Sequence, residues 1–266
     1  MPLMDVSRSI SPQEARDALL QAGVTGPHRS HSRESTLAKV APLIEGDPDK
    51  TFGLSGMEAL GPAEVLGFMA QLTGCPADIE CLDDDSIDPD LTIGGIVAAA
   101  ERLRDHAARG GTLLVATGHP TGMLEHNVRI VDAFTVAGGK VLRPREEQQI
   151  TFKHKPNRHF EVRYTGGVAC LADWGQLKHT HLSEAMEAML EEQPWPEMVF
   201  ADHGFAGAAI ERGIPTIAVM DINDHALAVA WGQDRDVTIV PMDDNRPPRL
   251  YEPSWRLFEQ IIGGEQ

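Results

Sequence analysis

Positive charge is what this sequence has least of: 23 Lys and Arg stand against 40 Asp and Glu, for a formal net charge of −17. A nucleic-acid partner needs a basic face to neutralise phosphates, so this balance excludes one. Cysteine is also scarce. Cys75, Cys81 and Cys170 are an odd number in no metal-binding spacing, which excludes a disulfide framework and leaves three small buried hydrophobes in a reducing compartment. No apolar run approaches the roughly 18 residues that span a bilayer, and the polar start MPLMDVSRSISPQEARDALL has no signal-peptide core. The expectation is a cytoplasmic protein with no membrane partner. Low-complexity tracts and internal repeats are absent, and 42% hydrophobic with 24% charged residues is an ordinary globular composition.

What is present is a βα alternation within one α/β domain spanning 1–266. Residues 1–82 read as mainly helical: Ser11-Pro12 caps a helix to about Ala22, and Gly61-Pro62 opens another to about Thr73. The stretch between them, with HRSHSRE at 28–34, has no deciding periodicity. A helix follows from Thr92 to Ala108. TLLVAT (112–117) then reads as a buried parallel strand, with a helix to about Ala137 and a strand KVLRP. Residues 145–172 break the rhythm as inserted antiparallel strands with turns at 155–157 and 166–167. Alternation resumes with strands at 197–202, 216–221 and 237–241, and a closing helix spans Glu252 to Ile262. These elements predict a Rossmann-like three-layer sandwich with a largely parallel sheet, in which ligands bind beyond the carboxyl ends of the strands.

Four strands end in polar residues: Thr117-Gly118-His119-Pro120-Thr121-Gly122, Asp202-His203, Asp221-Ile222-Asn223-Asp224, and Asp243-Asp244. Helix capping accounts for such residues singly, but not for four successive loops. Thr117, Gly118, Thr121 and Gly122 are expected to cradle a phosphate on helix-initiating amides. His179 and His181, alternating on an extended segment, project to one side and suit a metal or an anion. Asp221, Asn223, Asp224 and Asp244, with His179 and His181, are candidate ligands for one divalent cation, magnesium or manganese in preference to zinc. His119 and His203 are candidate general acids, with Asp202 and Asp221 as further catalytic candidates. Residues 140–163 hold seven of the 23 basic residues against three glutamates, so Arg143 and Arg145 are expected in a basic flap over an anionic substrate. The HRSHSRE segment is similarly polar and could reach the same site, its placement left open. The loop at Asp221 does not fit a haloacid-dehalogenase-type phosphatase: Asn223 replaces the second Asp, and only 42 residues follow Asp224.

The ordered set SIDPDLT (86–92), LLVATGHPTGML (113–124), HTHLSEAMEAML (179–190), FADHGFAG (200–207), GIPTIAVMDINDHAL (213–227) and VPMDDNRPPRLYEP (240–253) resembles a family of actinobacterial phosphatases. It spans about two-thirds of the chain. The resemblance implies a Rossmann-like phosphomonoester hydrolase with site positions at Gly118, His119, His179, His181, Asp202, His203, Asp221, Asn223, Asp224 and Asp244. Two positions depart from the family pattern, His225 and Ala185, where proline is usual. The function expected is metal-dependent hydrolysis of a small phosphorylated metabolite. Two alternatives stay open: a metal-dependent lyase, isomerase or amide hydrolase on an anionic metabolite, and a non-catalytic binding or scaffold protein. The sequence leaves the substrate and any homo-oligomeric state open.

Overall fold

The computed structural model describes residues 9–152 and 155–264, with backbone alone at 155 and 156. Helix α1 (Pro12–Ala22) starts where expected, because Ser11 and Glu14 cap each other reciprocally and Pro12 fills the first turn. The undecided stretch folds as a two-residue strand β1 (Gly26–Pro27) followed by three short helices, α2 (Arg33–Leu37), α3 (Val40–Ile44) and α4 (Pro48–Thr51). Then come α5 (Pro62–Thr73), β2 (Ser86–Ile87), which pairs antiparallel with β1, and the long α6 (Pro89–Ala108). Strand β3 (Thr112–Thr117) and helix α7 (Pro120–Val136) match the sequence reading, while KVLRP contracts to β4 (Lys140–Val141).

The insertion is present as β5 (Gln149–Phe152), β6 (Lys155–Thr165), β7 (Val168–Asp173) and β8 (Gln176–Leu177). Residues 155–157, expected as a turn, instead open β6. The chain closes with α8 (Glu184–Met189), β9 (Met198–Asp202), α9 (His203–Glu211), β10 (Thr216–Met220), α10 (His225–Gly232), β11 (Val237–Pro241) and α11 (Glu252–Ile262).

The main sheet runs β11-β10-β9-β3-β7-β6-β5. From β11 to β7 every neighbouring pair is parallel, and β7, β6 and β5 continue antiparallel. β4 pairs with the start of β3 (Thr112↔Lys140) and β7 takes over the same edge further along (Thr117↔Cys170). Alternate residues of the parallel strands serve opposite faces. Leu114, Ala116, Val199, Ala201, Ala218 and Met220 pack with α3, α5, α8, α9 and α10. Leu113, Val115, Phe200, Ile217, Val219 and Val240 pack with α1, α6, α7 and α11. Burying each of the side chains larger than alanine contributes on the order of 1.5–3 kcal/mol, so two dry faces hold the strands in register and the three layers together.

Topology fixes where a site can form. After β3 the chain moves to one side of it, to β4 and β7, and later crosses to the other side for β9, β10 and β11. The order therefore reverses between β3 and β9, where a crevice opens beyond the carboxyl ends. Among the described residues no helix is long and apolar enough to cross a membrane.

Candidate functional site

At that crevice Asp202, the last residue of β9, binds the end of β3. Its carboxylate accepts from the Thr117 hydroxyl (2.5 Å) and from the Gly118 amide (2.6 Å). The same carboxylate accepts from His203 Nδ1 at 3.0 Å. A carboxylate can only accept, so Nδ1 carries the proton and Nε2 is presented to the crevice. There it stands 3.6 Å from Asp224 and 3.5 Å from Asp244. His203 also holds φ at 43°, an uncommon left-handed conformation for a non-glycine residue. Asp202 thus positions His203 and does not itself reach the crevice.

Five further segments complete the cluster, among them the loop after β11 that carries Asp243 and Asp244. His119, at the start of α7, places Nδ1 3.0 Å from Asp244 and stacks on His179 with ring centroids 4.3 Å apart. Thr180 points inward, its N–H donating to the Gly118 carbonyl, and this leaves His179 and His181 both against the His203 ring. Beyond β10, Asp224 accepts from the Asp221 N–H, and Asn223 donates to the Asp221 carboxylate. The Lys39 ammonium donates to the Asn223 amide oxygen at 2.7 Å. From the N-terminal segment, His28 and His31 bring Nε2 to 3.6 and 3.4 Å from Asp221, and Ser30 donates to Asp243.

Burial sets the electrostatics. Asp202, Asp221, Asp224, Asp243 and Asp244 are all buried. Burial and the charges of Asp244, Asp243 and Asp224 raise the Asp221 carboxyl well above its ordinary range, and burial raises Asp224 as well. Against its own burial, Asp244 is held low by His203 and His119. For His203, burial pulls down but Asp224, Asp244 and Asp202 outweigh it and push the imidazole up to about 10. Burial lowers His28, and it lowers His31 and His179 to about 4.

Such a set calls for a cation. The donor atoms of His203, Asp224 and Asp244 lie within 4.8 Å of one another, as do those of His119, His179 and His203. Asp224 Oδ1 and Asp244 Oδ2 are buried without a hydrogen-bond partner, a costly state for a carboxylate oxygen that a coordinated ion would relieve. The residues therefore fit a divalent metal.

Comparison with known proteins gives the family. The Phosphatase family is matched over residues 10–261. The chain belongs to that family. A Streptomyces coelicolor protein named Phosphatase SCO2771 is 32% identical over 258 residues, covering 94% of this chain and 95% of the relative. Family and relative together support a phosphatase.

The structure brings together His119, His179, His181, His203, Asp221, Asp224 and Asp244, as the sequence placed them. Other expectations need correction. The phosphate cradle of Thr117, Gly118, Thr121 and Gly122 is largely closed: the Gly118 amide donates to Asp202, the His119 amide to Thr117, and the Gly122 amide to the His119 carbonyl, while Pro120 has none. These glycines serve close packing, since a Cβ would lie 2.2 Å from the Thr180 carbonyl at Gly118 and 2.3 Å from the Asp244 carbonyl at Gly122. Thr121 is exposed.

Asn223, expected as a ligand, has its oxygen engaged by Lys39. Arg143 pairs with Glu146 and Arg145 with Glu191 and Glu192, so neither joins the cluster. They follow β4, and Arg145 lies against α8, donating to the Ala188 carbonyl. Of the remaining flap residues, Arg158 pairs with Asp173 and Arg163 with Glu161; Lys153 and the side chain of Lys155 lie outside the described residues.

Sequence reasoning left the polar 28–34 segment able to reach the site but unplaced, gave Asp243 only as a strand-end residue, and missed Lys39 beside Asn223 and Asp49 beside His181. The His-x-x-His spacing of HRSH was the one available signal. Of the two departures from the family pattern, His225 opens α10 buried beside Asn223 and Ala185 is buried in α8; both helices form.

Proposed function

We propose that this chain is a metal-dependent phosphomonoesterase acting on a small phosphorylated metabolite. The observation that carries the reading is the His203–Asp224–Asp244 cluster at the β3/β9 switch, with two orphaned buried carboxylate oxygens, in a chain of the Phosphatase family. His203, Asp224 and Asp244 would hold the cation, with Asp202 fixing the imidazole through Nδ1 as carboxylate–histidine–metal relays do. Imidazole nitrogen beside carboxylate oxygen favours manganese or zinc, which revises the magnesium expectation. When bound, such a cation polarises a phosphoryl oxygen and makes water more acidic.

The chain's own groups supply the rest. His119 places Nδ1 3.0 Å from Asp244, whose charge outweighs burial and raises the imidazole, so it suits proton donation to a leaving alkoxide. His179 stacks its ring on that of His119 and keeps an exposed edge at the mouth, where a substrate phosphate would arrive. Lys39, half-buried next to Asn223, adds positive charge to an otherwise acidic crevice. Asp221, hydrogen-bonded through its backbone to Asp224, keeps that carboxylate aimed inward.

The test is release of inorganic phosphate from a panel of phosphorylated metabolites by chelator-treated protein with Mn²⁺, Zn²⁺ or Mg²⁺ restored. Release that returns with Mn²⁺ or Zn²⁺ and is lost in His119→Ala and Asp224→Asn supports the reading. Folded protein that releases no phosphate with any metal removes it in favour of other chemistry on an anionic metabolite.

A further inference from the structure

We propose that His28, His31 and Asp221 form a second divalent-cation position beside the first, so that the centre holds two ions. The three side chains place ligand atoms within 4.8 Å of one another. The side chain of His28 is 1% exposed, yet neither ring nitrogen has a hydrogen-bond partner. A buried imidazole normally satisfies at least one nitrogen, and two orphans facing carboxylates leave a ligand role as the physical reason for the residue. Its Nε2 faces Asp221, its Nδ1 lies 3.9 Å from Asp243, and its ring stacks on His31.

The segment is built rather than draped. Upstream, β1 pairs with β2 and the His28 N–H donates to the Asp85 carbonyl. Downstream, buried Arg33 pairs with Asp85 and donates to the carbonyls of Pro76, Asp78 and Cys81. Between them, Ser30 donates to Asp243 at 2.7 and 2.8 Å. Both ends of the His-x-x-His turn are thus fixed to the connection between α5 and β2, and its middle to Asp243, before any ligand arrives.

Charge allows either occupancy. Five buried carboxylates stand against one hydrogen-bonded ammonium, Lys39, and the half-buried Arg246 at the His28 side. One divalent cation leaves that set slightly negative and two leave it slightly positive, so the second position rests on the ligand geometry. Asp221, joined to Asp224 by a backbone hydrogen bond, sits between the two positions. Paired cations are a recurrent arrangement in phosphoryl hydrolysis because they clamp the attacking and leaving oxygens together. The inference rests on the phosphatase reading for its function, not for the binding.

The experiment is Mn²⁺ loading of metal-stripped protein, read as ions per folded chain by elemental analysis and as spin coupling by electron paramagnetic resonance. Wild type is expected to bind two coupled ions, and His31→Ala and His31→Gln one uncoupled ion each. Replacing His31, which is 27% exposed, opens no core cavity. A wild type that binds one ion, kept in both His31 variants and lost in Asp224→Asn, overturns the second position and leaves the proposed function standing. A wild type that binds none overturns both.

Discussion

The two edges of the parallel sheet differ in a way that cavity size does not reveal. At the amino edge, Arg102, Asp105, His106, Arg109 and Glu197 line an open cleft of about 650 Å³. Its charges have ordinary partners: Arg102 pairs with Asp236, and Glu197 accepts from the Thr112 amide. At the carboxyl edge the pocket bounded by Lys39, Asp49, His181 and Asn223 has room for about 10 Å³ on the same scale, yet beside it lie five buried carboxylates and the orphaned nitrogens of His28. Buried polar groups without partners, not empty volume, mark where binding free energy is still to be gained.

Breaking the carboxyl edge should have the largest effect. His119→Ala, which removes the expected general acid, should lower kcat by about 10²–10⁴-fold in a phosphate-release assay. Asp202→Ala leaves every crevice ligand in place but frees the His203 ring, so metal affinity should fall by roughly 10–100-fold in a competitive chelator titration, with Asp202→Asn milder. Gly122→Ala separates packing from phosphate binding: its Cβ would meet the Asp244 carbonyl at 2.3 Å, and thermal denaturation should show a loss of about 1–3 kcal/mol.

Removing metal should give the contrast a pH signature. In metal-free protein the folded-state values of His203, Asp221 and Asp224 are raised, so the stability they contribute is present below their unfolded values. For His203 that contribution is lost as pH rises from about 6.5 through the folded value of about 10; the two carboxyls lose theirs from lower pH upward. His31 and His179 are depressed to about 4 by burial, so their contribution is present above about 6.5 and is lost as pH falls through about 4. The Tm of chelator-treated protein should therefore decline on the alkaline side of neutrality, and bound metal should flatten that limb. At the amino edge, Arg109→Ala and Glu197→Gln should leave kcat/KM within about twofold of wild type, the ordinary outcome for surface substitutions.

Much of this contrast was legible in the sequence. An apolar strand followed by a polar loop is a local pattern, so TLLVAT, MVFAD, TIAVM and VTIVP located four of the cluster's segments and the edge they share. What the Gly118 amide donates to was not local. The Gly118 acceptor comes from Asp202, 84 residues on, and without it the turn looked like a phosphate cradle. The flap failed likewise, because the acids that pair Arg145 lie on residues beyond α8. His28 and His31 sit in a turn without periodicity, held through Asp85 and Asp243 at long range, so their spacing was visible but their destination was not.

The central claim is that the carboxyl-edge cluster is a metal centre, and an anomalous difference map from crystals grown with Mn²⁺ tests it most directly. The account predicts density bounded by His203, Asp224 and Asp244 at the β3/β9 switch. Manganese found only elsewhere on the protein, or none in crystals of a preparation that hydrolyses phosphomonoesters, would contradict it.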